Sequence, residues 1–391
     1  ALAGGAGIPA RHIVEGAFTY LDIILIFITA TLFMNILKES GGVAYVVRGL
    51  LSRFHRQKTI LFVLITFLLL IPGALTGAGS VTVLITGGMI ATVLHYMGIP
   101  KAKTAAIIFI LAGLSAAAPP VSLWAMLTAA GVNMPYVGFF LPLLVPCVVL
   151  SLLTIFILGW KAKAVDLEKA LQELPSAPPR MNWLRVLLPF LVFFLLVLAG
   201  RIWPHDLPIF GLPLMFMVAG ASSLLLSPIR LDFLKISRET VQQLLPLIGT
   251  LTCVGILVQI MTLTGARGLI AISIVTLPFT VVLLSLSLVL PVSEAVLMWG
   301  AAPVLGVPLV LLFNTLGMNP IVALAGMSVI WPLGDALPPT AIIGRLTQDT
   351  VGLKESYAQL LKHCIIPAVI IILVGTLMVV FSQKLSFLTL L

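Results

Sequence analysis

Two carboxylates lie where hydrocarbon should repel them: Glu294 in "LPVSEAVL" and Asp335 in "WPLGDALPPT", both inside long apolar stretches. An acid within a membrane segment is costly and marks an ion or proton pathway. Each is therefore a candidate cation ligand, or a proton carrier where desolvation favours the neutral acid. The competing structural roles are a local hydrogen bond for Glu294 and a helix cap for Asp335. Asp335 stands just before Pro338 and Pro339, and an earlier stretch, "LAGLSAAAPPVSLWAM", carries a second pair, Pro119 and Pro120. A proline removes one backbone N–H and collides with the carbonyl a turn back, so a tandem pair interrupts a helix. In hydrocarbon such a break persists where the freed carbonyls line a cavity or hold an ion. Nearby Ser and Thr hydroxyls add oxygen ligands without net charge, and the N-terminal end of a half-helix favours an anion.

These considerations collect four backbone sites. The first break offers Ser115, Pro119 and Ser122, and the second Gly334, Asp335, Pro338 and Thr340. A small-residue stretch, "PGALTGAGSVT", offers Thr76, Gly77, Gly79, Ser80 and Thr82 as the tip of a hairpin, and Pro291, Ser293 and Glu294 offer a second tip. The candidate sodium ligands are Gly77, Gly79, Ser80, Ser115, Pro119, Gly334, Asp335, Pro338 and Thr340. The candidates for meeting an organic anion are Thr76, Ser80, Thr82, Ser122, Ser293, Thr340 and Arg345. Arg345 reads equally well as a cytoplasmic anchor. Glu294 and Asp335 are the candidate proton carriers. His95, His205 and His363 have no partners at ligand spacing, and Cys147, Cys253 and Cys364 read as packing residues, so no metal beyond sodium and no cofactor is expected.

The elements that position these residues must be membrane helices. The chain is 60% hydrophobic and 9% charged, with a mean hydropathy of +1.21. A soluble domain is about one quarter charged. Apolar runs near the roughly 20 residues that cross a bilayer recur throughout, and they are continuous instead of alternating, which excludes a β-barrel. The net charge of +9 sits in short loops between these runs. It reads as a topology signal toward the lipid bilayer, with no nucleic-acid partner.

Basic loops then order the chain. A span at 16–36 leads to a cytoplasmic loop carrying Lys38, Arg48, Arg53, Arg56 and Lys58. A hairpin at 59–98 opens to the cytoplasm, a broken span follows at 103–131, and 137–160 returns. Residues 161–185 form a cytoplasmic linker with a short helix and a Pro-rich tail, closing a first repeat at 1–160 and opening a second at 186–391. In the second, spans at 186–203 and 207–226 precede a basic loop with Arg230, Lys235 and Arg238. Then come a span at 241–264, a hairpin at 269–313 opening outside, a broken span at 321–344 and a last span at 364–381. Both halves share one order in opposite orientations, an inverted repeat of the kind that builds secondary transporters. The second half has two extra spans, so symmetry predicts two further spans upstream of Ala1. Trp124, Trp160, Trp183, Trp203 and Trp331 read mostly as an interfacial aromatic belt.

No phosphate loop, H-E-x-x-H or paired His and carboxylates supports an enzyme. An anion channel is the serious rival from another class, although channels commonly build their pore from subunit symmetry and inverted halves suit alternating access. The runner-up within the class is a proton-coupled organic anion carrier.

In sequence order, "GALTGAGSVTVLITGGMI", "AGLSAAAPPVSL" and "GMNPIVALAGMSVIWPLGDALPPT" resemble the ion-transporter superfamily, and most of all the large membrane subunit of tripartite ATP-independent periplasmic (TRAP) transporters. The resemblance covers roughly 13–345. It implies an elevator-type carrier in a bacterial inner membrane, with two re-entrant hairpins and two proline-broken helices. It also implies sodium-coupled import of an organic anion such as a C4-dicarboxylate or a sugar acid. Its implied sodium sites are Gly77, Ser80, Ser115 and Pro119 in the first half, and Gly334, Pro338 and Thr340 in the second. The family's partners, a small membrane subunit and a periplasmic substrate-binding protein, are implied with it. The sequence departs from the family at Ser293–Glu294, where an Asp is frequent, which opens that site to a proton.

Overall fold

The computed structural model describes residues 9–203 and 210–390, and within them every regular element is helical. The expected start of a span at 207, and His205, lie outside the described residues. Eight helices among the described residues are long and apolar enough to cross a membrane.

Helices α1 (Ala10–Phe18) and α2 (Leu21–Glu39) form one span of 30 residues. Gly41, with φ +80°, turns the chain into α3 (Gly42–Phe54), a helix where the sequence reading placed a loop. Its buried Val43, Val47 and Leu51 recur every four residues, the spacing of one helix face. The basic residues between them gave the stretch the look of a plain loop. Next come α4 (Lys58–Thr76) and α5 (Gly79–Tyr96), joined at Gly77, whose φ of +67° ends the first limb. Helices α6 (Lys101–Ala117) and α7 (Leu123–Gly131) are the two parts of the first broken span, and α8 (Phe140–Leu158) returns. The linker carries α9 (Leu167–Glu173), capped by Asp166. Arg48 of α3 donates to the carbonyls of Leu171 and Leu174 at its C-terminal end (2.8 and 3.0 Å).

The second half begins with α10 (Trp183–Ile202) and α11 (Leu212–Leu226). Helix α12 (Phe233–Leu263) is longer than the expected 241–264, because Asp232 caps it and Lys235 and Arg238 ride on its first turns. Gly265, with φ +75°, opens α13 (Ala266–Val275), which stands apart from the hairpin expected at 269–313. The hairpin itself is α14 (Phe279–Leu297) and α15 (Ala302–Thr315). Its turn falls at Met298–Gly300, where Met298 takes φ 52°, and not within 290–297 as the sequence suggested. Pro291 is accommodated inside α14, as prolines are where neighbouring groups satisfy the freed carbonyl. The second broken span consists of α16 (Pro320–Ile330), 3₁₀ turns over Trp331–Ala336 and α17 (Ile342–Val351), so it reaches beyond the expected 344. Helix α18 (Tyr357–Val380) begins before the expected 364 because Ser356 caps it.

Packing gathers these helices into two groups. One contains α1, α2, α10, α11 and α12, with α1 on α12 and α2 on α11. The other contains both hairpins, both broken spans, α8 and α18, with α4 on α6 and α16 on α18. At the α16–α18 crossing, a Cβ on Gly326 would lie 2.6 Å from the Gly375 carbonyl, and the reverse holds too, so only glycine permits that approach.

Candidate functional site

The first hairpin meets the first broken span at its break. Val121 N, just after Pro119–Pro120, donates to Ala74 O (2.9 Å). Thr82 Oγ1 and Ser115 Oγ are 2.9 Å apart, and Ser115 Oγ also donates to Ala112 O (2.6 Å). Gly73 sits so close to Ser115 that a side chain there would overlap its hydroxyl. Thr76 Oγ1 donates to Pro72 O (2.7 Å). Thr82 and Ser115 are thus brought together; they and Thr76 are buried, while Ser80 is half-buried. Ser122 is buried with no partner for its hydroxyl, and its backbone N donates to Tyr136 Oη (3.3 Å).

The second hairpin meets the second break in the same manner. Thr340 Oγ1 donates to Ala295 O (3.0 Å), and Gly334 packs against Pro291 O and Glu294 Cβ. Ser293 turns inward on its own helix, donating to Leu290 O (2.8 Å). Each broken span then sends its later half to the opposite hairpin. From α7, Trp124 Nε1 donates to Glu294 Oε2 (2.9 Å) and Thr128 Oγ1 to Ala302 O (3.2 Å). From α17, Ile343 packs against Gly79 at the first tip. Between the two, a Cβ on Gly113 would lie 2.9 Å from Pro332, so the broken spans cross in contact. The four backbone sites form one continuous region, and the peptide bond within each proline pair is cis.

Both carboxylates are buried at this crossing, and each keeps an oxygen without a hydrogen-bond partner: Glu294 Oε1 and Asp335 Oδ2. The indole N–H of Trp331, also buried, is unpartnered as well. A buried acid needs a proton, a cation or donors to be tolerated. Glu294 has one donor, Trp124, and Asp335 has no hydrogen bond among the described residues. The arrangement can hold a cation or exchange a proton. No group of three or more His, Cys, Asp or Glu residues is placed to hold a metal among the described residues.

The remaining expected residues differ in what they face. Pro119 is buried but faces an apolar crevice, and Pro338 is exposed. Arg345 is exposed, its guanidinium 5.3 Å above the Tyr357 ring, and Tyr357 Oη donates to Ala336 O at the break (2.7 Å). Trp124 and Trp331 are fully buried at the breaks instead of lying in an interfacial belt. Sequence reasoning missed them and Thr128. The available signal was position: each tryptophan stands within eight residues of a proline pair, in mid-span, where a buried indole requires an acceptor.

No family model matches the chain, and no curated protein matches it in sequence. Solved structures do match. Neisseria gonorrhoeae MtrF, described as illuminating a class of antimetabolite efflux pumps, superposes with a TM-score of 0.67 at 15% identity, covering 95% of this chain and 83% of MtrF. The Alcanivorax borkumensis YdaH transporter, described as having an unusual topology, superposes with a TM-score of 0.64 at 15% identity, covering 95% of this chain and 87% of its own. At this identity the likeness is one of fold: the chain has a fold found in multi-pass membrane transporters. Neither match is described as a TRAP subunit.

Proposed function

We propose that this chain is a secondary active transporter that couples a cation to the movement of a small organic anion. The carrying observation is the meeting of both hairpin tips with both helix breaks in one region that buries Glu294 and Asp335 with unpartnered oxygens. Broken helices at such a junction supply the backbone dipoles for an anion and the oxygens for a cation. The fold shared with MtrF and YdaH supports transport over a channel or an enzyme. Three of the four hairpin limbs are long enough to span and Ala302–Thr315 is shorter; the meeting of each hairpin with a break in mid-span, and not limb length, is what supports a re-entrant reading. The matched series of elements in the two halves supports an inverted repeat working by an elevator motion.

Sodium is the coupling ion in the first reading, held by backbone oxygens and by Ser80, Ser115, Asp335 and Thr340. A second reading, proton coupling, is favoured by the free oxygens Glu294 Oε1 and Asp335 Oδ2. Import follows where the cation moves with the anion and export where it moves against it. The description of MtrF as belonging to a class of efflux pumps supports keeping export beside the import that the sequence suggested.

The test is thermal stability of the purified protein in sodium, potassium and choline salts at two pH values, with a panel of carboxylates. A ligand at about 100 times its Kd stabilises the folded state by about 2.7 kcal/mol. Stabilisation by sodium alone, lost in Ser80→Ala or Thr340→Val, supports sodium coupling. A pH-dependent gain lost in Glu294→Gln or Asp335→Asn supports proton coupling. Passive flux at channel rates in proteoliposomes overturns both.

A further inference from the structure

An apolar crevice of about 420 Å³ has neither carboxylate in its lining. One wall is Pro72, Ala118, Pro119 and Pro120, together with Leu144 and Val148 of α8. The opposite wall comes from α2, α3 and α10, with Trp183 at one end, its ring 5.4 Å from that of Tyr45. The crevice therefore lies between the two groups of helices and has the first break as part of its lining.

Three observations bear on what it takes. Among the described residues, the only hydroxyl in the lining is Thr86 Oγ1, and it already donates to Thr82 O (2.9 Å). No charged side chain among them lines the crevice, so a soluble organic anion entering it loses hydration without compensation. The lining residues Phe67, Ile71, Phe140, Leu187 and Phe194 are also exposed, so the crevice opens sideways onto the apolar surface that the bilayer covers.

We propose that this crevice is a binding site for the acyl chain of a bilayer phospholipid, which lies between the two groups of helices and against Pro119 and Pro120. The bilayer supplies hydrocarbon at the open side at high local concentration, and a chain that enters the crevice exchanges lipid contacts for protein contacts without exposing its methylenes to water. Trp183 marks the end nearer the headgroups, where indoles sit. If the elevator reading holds, the chain occupies the seam along which the two groups slide, but binding itself does not depend on that reading.

The experiment reconstitutes the full chain into vesicles of phosphatidylcholine bearing a photoreactive group at mid-chain and maps the labelled peptides. Label at Val43 and Val186, which line the crevice but are buried from the outer surface, is expected, besides ordinary label at the outward-facing Leu284 and Leu288. In Val148→Trp, and independently in Leu144→Trp, the crevice label is lost while the label at Leu284 is unchanged, with an unaltered melting temperature certifying the fold. Crevice label that persists in both filled variants overturns the proposal, as does label confined to outward-facing residues. Displacement of the crevice label by a soluble aromatic carboxylate overturns it too, by making the crevice a solute site. Labelling needs no transport, so its result is separate from the test of function above.

Discussion

At the scale of residues, the contact between Trp124 and Glu294 ties the later half of the first broken span to the second hairpin. It is a single hydrogen bond between residues 170 positions apart, inside the membrane region, with the acceptor's other oxygen free. A buried bond to a charged or shared-proton acid contributes more than an ordinary one, and leaving one partner unsatisfied costs about 1–3 kcal/mol. Trp124→Phe is expected to lower the melting temperature. Glu294→Met in the Trp124→Phe background is expected to cost less than Glu294→Met alone, because the acceptor's only partner is already gone. Strict additivity in that double-mutant cycle refutes the tie. Thr82 and Ser115 give the parallel pair in the first half (2.9 Å). There, Ser115→Ala leaves Thr82 a free hydroxyl, and the sodium-dependent thermal shift is expected to shrink if those oxygens serve the ion. An unchanged shift removes Ser115 from the sodium site.

At the scale of elements, the position of each break is fixed by contacts as much as by proline. The 3₁₀ turns over Trp331–Ala336 lie against the last turn of α14, and Gly334 allows it: a Cβ there would stand 2.6 Å from Glu294 Cβ and overlap the Pro291 carbonyl. Gly334→Ala is expected to destabilise by about 1–3 kcal/mol, the usual cost of overpacking. Gly249 lies within α12, and a methyl group added to it would meet nothing within 4 Å. Gly249→Ala is expected to be neutral or to stabilise by up to about 1 kcal/mol, the helix preference of alanine over glycine. Melting temperatures of the two variants decide; equal behaviour refutes close packing at the break. The short helices α3 and α13 also match, each entered through a left-handed glycine and followed by a hairpin.

At the scale of the molecule, alternating access requires that the two tips take turns facing water. Ser80 and Thr340 are half-buried and lie one at each meeting place. In a Cys253→Ser background, which removes the exposed native thiol, Ser80→Cys and Thr340→Cys should react with a membrane-impermeant thiol reagent added to opposite sides. Addition of coupling ion and anion should raise one reactivity and lower the other. Simultaneous reactivity from both sides indicates a continuous pore and overturns the carrier reading.

The sequence by itself determined that the chain lies in a membrane, that it is helical, and that its helices break at Pro119–Pro120 and Pro338–Pro339. Hydropathy and proline act locally: one is a matter of solvent and the other of a missing N–H, so neither needs the rest of the molecule. The glycines of the first tip were legible for the same reason. Tertiary structure alone decided which broken half meets which hairpin. It brought Trp124 to Glu294 across 170 residues and set Arg345 outside the break. It moved the second turn to Met298–Gly300, where no glycine cluster announces it. It also made α3 a helix, because Val43, Val47 and Leu51 find an apolar surface to cover. Pairings of this kind depend on packing between distant segments, and no local pattern of residues encodes them.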